Sequence, residues 1–191
     1  MAMLRHFTRL LGVAVIVAAT FIPARAEIVK TAIPDCKTNQ ICFYWWPKLP
    51  ELKGWHTDQK VNYSQGGNGI NALIPDGKTF SNAPAIIYAA ATYKERYDWK
   101  HKVQSTLSSF IEDDKATFKG ADTAAIAPMK TADGQLLRSV TYFRPTDKTW
   151  ECVDYGIEGD YYLTFVLSAN SEEAYRETLP IFQDFVARYK S

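Results

Sequence analysis

His56, Asp58 and Ser64 stand close together in the chain and supply the base, acid and hydroxyl of a nucleophilic triad. A triad serine needs a rigid turn such as G-x-S-x-G to present its oxygen. Ser64 sits instead in Asn62-Tyr63-Ser64-Gln65-Gly66, a polar stretch without that turn, which also fits an N-glycosylation sequon. His56, Asp58 and His101 offer imidazole and carboxylate ligands for a cation, but no cysteine–histidine spacing matches a zinc site. Gly66-Gly67-Asn68-Gly69 has the glycine content of a phosphate cradle. It lacks both the G-x-G-x-x-G spacing and a following Lys-Ser/Thr pair, and reads as a surface loop. Glu112, Asp113 and Asp114 read as the solvated face of a helix.

Trp45, Trp46 and Trp55 point to a different use. Adjacent residues on a strand face opposite ways, so one of Trp45 and Trp46 is core and the other lies under a helix or lines a groove. Burial of both beneath helices suits their bulk. Tryptophan is also enriched where partners bind most tightly, which makes Trp46, Trp55 and the neighbouring His56 the candidate binding residues.

Of the three cysteines, Cys36 and Cys42 are close in sequence, and a Cys36–Cys42 bridge with Cys152 reduced is the first expectation. A bridge from the N-terminal segment to Cys152 is the alternative. The compartment follows from residues 1–26. Arg5, His6 and Arg9 precede the uncharged apolar run Leu10 to Ile22, and Ala24-Arg25-Ala26 is a small-x-small site. That order predicts a secretory signal peptide cleaved near Ala26, too short in its apolar part to span a bilayer. The mature chain is then periplasmic or secreted, where disulfides persist, and keeps no transmembrane anchor. Loss of Arg5, Arg9 and Arg25 takes 22 basic and 21 acidic residues to 19 and 21, a charge of −2. Such a balance carries no footprint for nucleic acid. Residues 27–191 are of a length for one domain.

The elements that must position these residues begin with Ile41 to Trp46, a β-prone run stopped by Pro47. A Pro/Gly-punctuated loop runs from Lys48 to Trp55. Asn71 to Ile74 reads as a short strand before the Pro75-Asp76-Gly77 turn. Ala85 to Ala91 is a further apolar run of strand length. Val103, Leu107, Phe110, Ile111 and Phe118 recur at helical spacing up to Gly120. Ala124–Lys130 and Gln135–Phe143 flank Asp133-Gly134, a hairpin signal. Trp150–Tyr155 and Tyr161–Leu167 flank Gly156-Ile157-Glu158-Gly159-Asp160, read as the next turn. The run 161–167 is apolar on both faces, as a strand in mid-sheet must be. A last helix has Asn170-Ser171 as cap and Tyr175, Leu179, Phe182, Val186 and Tyr189 as its stripe, with a kink or restart expected at Pro180. Short turns between consecutive strands require antiparallel pairing. The expected fold is α+β, a three-layer α–β–α sandwich with a mainly antiparallel sheet and helices on both faces.

This order, with Phe43-Tyr44-Trp45-Trp46-Pro47, Leu49-Pro50 and Gly54-Trp55 as opening strand and loop, resembles the PsbP-like family. That family takes in a photosystem II extrinsic protein, a nuclear Ran-binding protein and bacterial periplasmic proteins. The resemblance implies a binding or assembly role and carries over no functional residue, because the matching positions are core or turn positions. The expectation is therefore an exported, non-enzymatic protein that binds a protein or envelope component, with no cofactor. The alternatives are a periplasmic serine hydrolase using Ser64 and His56, or a metal- or small-ligand-binding module.

Overall fold

The computed structural model describes residues 28–32, 43–58, 70–94 and 106–190, of which 29–32 and 43–45 are described by their backbone alone. The signal-peptide segment, Cys36, Cys42, Ser64, the glycine run at 66–69 and His101 lie outside the described residues.

Among the described residues nine strands and two helices follow in the order β1 (Ile28–Ala32), β2 (Phe43–Pro47), β3 (Trp55–Thr57), β4 (Asn71–Pro75), β5 (Ala85–Tyr93), α1 (Leu107–Thr117), β6 (Asp122–Lys130), β7 (Leu136–Arg144), β8 (Thr149–Glu158), β9 (Tyr161–Ala169) and α2 (Glu172–Arg188). β1 and β2 form a separate antiparallel pair. The other seven strands form one antiparallel sheet in the order β3-β4-β5-β9-β8-β7-β6. This is the α+β class. β9, the run with apolar residues on both faces, holds the middle place.

Alternation along the strands sorts the core into two clusters. Leu163, Phe165 and Leu167 of β9 join Ile87 and Ala89 of β5, Cys152 of β8 and the stripe Ala174, Phe182, Phe185, Val186 and Tyr189 from α2 and its C-cap. Val166 of β9 joins Val140 and Tyr142 of β7, Val153 and Tyr155 of β8 and Ile111 of α1, with Phe110 and Phe118 packed against them. Thr106 and Ser109 form a reciprocal capping box that starts α1. Ser171 caps α2 by accepting from the Ala174 N–H at 3.2 Å.

Three local expectations change. α2 runs as one helix from Glu172 to Arg188 with no restart at Pro180, which is exposed, so the carbonyl it leaves without a donor lies on a solvated surface. β8 continues to Glu158, which shortens the expected five-residue turn to Gly159-Asp160. Gly156 is thus a strand residue. A Cβ there would come within 2.6 Å of Leu137 Cδ2, so the glycine is required by close packing and not by a turn. Finally, Trp55 opens the short strand β3, which pairs Trp55 with Pro75 and His56 with Ile74.

Candidate functional site: an aromatic cleft beside the sheet edge

Strand β2 ends at Pro47, and the chain crosses to β3 through Lys48-Leu49-Pro50-Glu51-Leu52-Lys53-Gly54. Pro47 at the end of β2 and Pro50 within the loop fix backbone angles here. Gly54 takes φ +82°, a left-handed turn that a side chain would strain. The Trp55 N–H donates to the Leu52 carbonyl at 3.1 Å, and the Asp76 N–H donates to the Gly54 carbonyl at 2.8 Å. Leu52 is buried in the α2 cluster, with Leu49 and Trp55 packed against it. The loop is therefore pinned to the body of the domain by its own apolar residues.

Between this loop, β3 and the end of α2 lies a cleft of about 1000 Å³. Trp46, Leu49, Pro50, Leu52 and Trp55 give it apolar walls, and Lys53, His56 and Arg188 stand among its polar lining residues. Arg188 ties α2 to the loop: its Nη1 donates to the Glu51 carbonyl at 2.8 Å, and its Nη2 lies 2.9 Å from Asp184 Oδ2. His56 Nδ1 lies 3.3 Å from Asp76 Oδ1. All three candidate binding residues thus line one cleft, in different degrees. Trp46 is only 6% exposed, Trp55 is half-buried and the His56 side chain is 43% exposed.

Of the other sequence candidates, Ser64, His101, Cys36 and Cys42 lie outside the described residues. The acid beside His56 is Asp76, and Asp58 does not line the cleft. No group of three His, Cys, Asp or Glu residues arranged to hold a metal occurs among the described residues. Cys152 is a buried free thiol, its pKa pushed up by burial and then by the nearby Asp154.

The interior holds chemistry that the sequence reading did not place there, and Asp114, expected on the solvated helix face with Glu112 and Asp113, turns inward instead. In the α1 cluster the Tyr155 hydroxyl donates to Asp114 Oδ2 at 2.5 Å, and the Tyr142 and Tyr155 hydroxyls lie 2.7 Å apart. Burial raises the Asp114 pKa, the Tyr155 hydrogen bond partly opposing it. Burial likewise pushes Tyr142 up to about 12. Glu151, also buried, accepts from the Ser168 hydroxyl at 2.8 Å, with Arg144 Nη2 3.9 Å away. Its pKa is raised by burial against those two. In the α2 cluster, Asp154 is fully buried. Neither of its carboxyl oxygens has a hydrogen-bond partner. Burial pushes its pKa up to about 7, which the nearby Ser139 hydroxyl opposes only in part. Glu158 accepts a hydrogen bond from the Tyr189 hydroxyl, and burial raises its pKa too. A signal for Asp154 did exist: it shares strand parity with Cys152, which an apolar reading of β8 puts inward.

No family model matches the chain, and no curated protein matches it in sequence. Solved structures do. The Ran-binding protein Mog1p of Saccharomyces cerevisiae is 8% identical over 82% of this chain and 85% of that one, with a TM-score of 0.40. A point variant of Mog1 is 9% identical over 83% and 89%, with a TM-score of 0.41. The cyanobacterial PsbP protein of Synechocystis is 14% identical over 84% and 91%, with a TM-score of 0.42. The chain is thus similar in structure to both kinds of protein, a PsbP and a Ran-binding protein, that the sequence resemblance names. It is a likeness of fold.

Proposed function

We propose that the chain is an exported, non-enzymatic binding or assembly protein whose partner, a protein or an envelope component, seats in the cleft between Trp46, Trp55 and His56. The observation that carries this reading is the cleft itself: a concave site with aromatic walls and a few polar groups, held by a loop flanked by Pro47 and stiffened by Pro50. Trp55 is the anchor, because it presents a half-exposed ring. Trp46 forms the floor, and His56 offers an imidazole at the rim. Export rests on the basic start, apolar run and small-x-small site of residues 1–26, with residues 27–191 as one domain. No helix among the described residues is long and apolar enough to cross a membrane.

The scaffold of this reading is a three-layer sandwich. Its support is strand parity: odd-numbered β9 residues pack with α2, and Val166 packs with the α1 residue Ile111. Two layers of helix would hold the sheet stiff while the edge at β3 carries the cleft.

Affinity capture from the native envelope tests the proposal. Trp55→Ala is the informative variant, since Trp46→Ala would remove a buried ring and destabilise the fold by about 3–5 kcal/mol. The wild-type chain should retain a discrete partner that Trp55→Ala loses at unchanged folded fraction. Equal capture by the two proteins would defeat the proposal.

A further inference from the structure

Asp154 sits in the middle of β8, on the side of that strand taken by Cys152 and the α2 cluster. Its register partners are Ser139 on β7 and Phe165 on β9. It is fully buried, and neither carboxyl oxygen has a hydrogen-bond partner. A neutral acid tolerates such a place; a carboxylate there has lost its water and gained at most the weak help of the nearby Ser139 hydroxyl. Its surroundings offer little relief. The titratable groups facing it are Cys152 on β8 itself and Tyr175 on α2, which interacts with both. Glu158 and Tyr189 lie farther along, with Asp133 beyond them. β5, β7 and β9 present Ile87, Ala89, Leu137, Leu163, Phe165 and Leu167 to this cluster, while Ile126 and Met129 of β6 pack against it. No basic side chain contributes to the balance at Asp154. The element that can restore water to it without breaking the sheet is α2, whose buried residues cover this cluster.

We propose that Asp154 is a pH-sensitive latch: as a neutral acid it lets α2 close on the sheet, and as a carboxylate it favours opening of that helix. The displacement of Asp154 titration toward neutrality by burial is consistent with a switch in the range an exported protein meets. The latch acts at a distance from the cleft walls but not from the cleft as a whole, because Arg188 in the last turn of α2 donates to the Glu51 carbonyl. Opening α2 would remove that tie and loosen the loop that carries the cleft.

Hydrogen exchange of the full chain, corrected for intrinsic rates, reads this directly. Between pH 5 and pH 7.5 the protection of α2 amides should fall on the order of tenfold or more and should end below that of β6 and β7 amides, which open only with the whole fold. Asp154→Asn, a neutral side chain of the same shape, should remove the pH dependence. Glu158→Gln should keep it. Three results would overturn the latch: α2 protection that does not change with pH, the same change in Asp154→Asn, or a change that Glu158→Gln alone abolishes. Equal opening free energies for α2, β6 and β7 at pH 7.5 would also overturn it, because they would report global unfolding and no separate opening of α2.

Discussion

The cleft and the interior divide between them what an active site must combine. The cleft is open, and its polar groups His56, Lys53 and Arg188 stand at a surface where water reaches them. The interior carries displaced acids, Asp154 above all, but seals them beneath helices. A catalytic acid needs both displacement and access to substrate. Among the described residues the two properties sit in different places.

A second contrast lies within the interior. Asp114 and Glu151 face hydroxyl donors, Tyr155 and Ser168, whereas Asp154 has no hydrogen-bond partner. On the α2 side Glu158 likewise has the Tyr189 hydroxyl, so the contrast belongs to Asp154 itself. The difference predicts that the α1 cluster depends on hydrogen bonds and Asp154 on protonation.

Breaking that contrast should give effects of graded size. The largest concerns pH. Asp154 moves from 3.8 unfolded to about 7 folded, so the folded state holds the proton more tightly. The associated stability is fully present below about pH 4 and is lost as pH rises through the window up to about 7, for a total near 4 kcal/mol. Asp114, Glu151 and Glu158 are raised as well and act in the same direction. Urea unfolding at pH 4.5, 6 and 7.5 should show this decline, and Asp154→Asn should flatten most of it. A wild-type stability that rises over this window would contradict the assignment.

Next in size is Tyr155→Phe, which takes the donor from Asp114 and the partner from Tyr142. It should destabilise by about 1–3 kcal/mol at pH 6, measured by the shift in urea midpoint at constant slope. Gly156→Ala should cost a similar amount, about 1–3 kcal/mol, by forcing a methyl against Leu137, and Leu137→Ala in the same chain should recover part of it. His56→Gln should be smallest, within about 0.5 kcal/mol, since the His56–Asp76 pair is exposed. Any effect of that variant on partner capture would then belong to the cleft.

The fold was legible where local pattern and tertiary context agree. Apolar residues on both faces of 161–167 required a central strand, and β9 is central. Asp133-Gly134 required a hairpin, and Gly134 has φ +92° between β6 and β7. The pattern misled where packing decides. Gly156 reads as a turn because nothing local reveals Leu137 across the sheet. β3 is too short for alternation to show, and it exists because β4 offers an edge beside it. Pro180 reads as a kink or a restart, yet the helix does not restart, because an exposed face tolerates the proline. At the site, the tryptophans were visible as residue types, but their division into a buried Trp46 and a half-exposed Trp55 depends on the loop that folds over them. Asp154 was legible only as inward parity with Cys152, because α2, which seals it, follows only after another strand.

Photo-crosslinking in the native envelope tests the binding account most directly. A photoreactive residue at Lys53, on the cleft rim, should give one discrete adduct that Trp55→Ala removes, and the same probe at Glu173, on the exposed side of α2, should give none. Adducts of equal yield from both positions, or a Lys53 adduct that survives Trp55→Ala, would contradict the account.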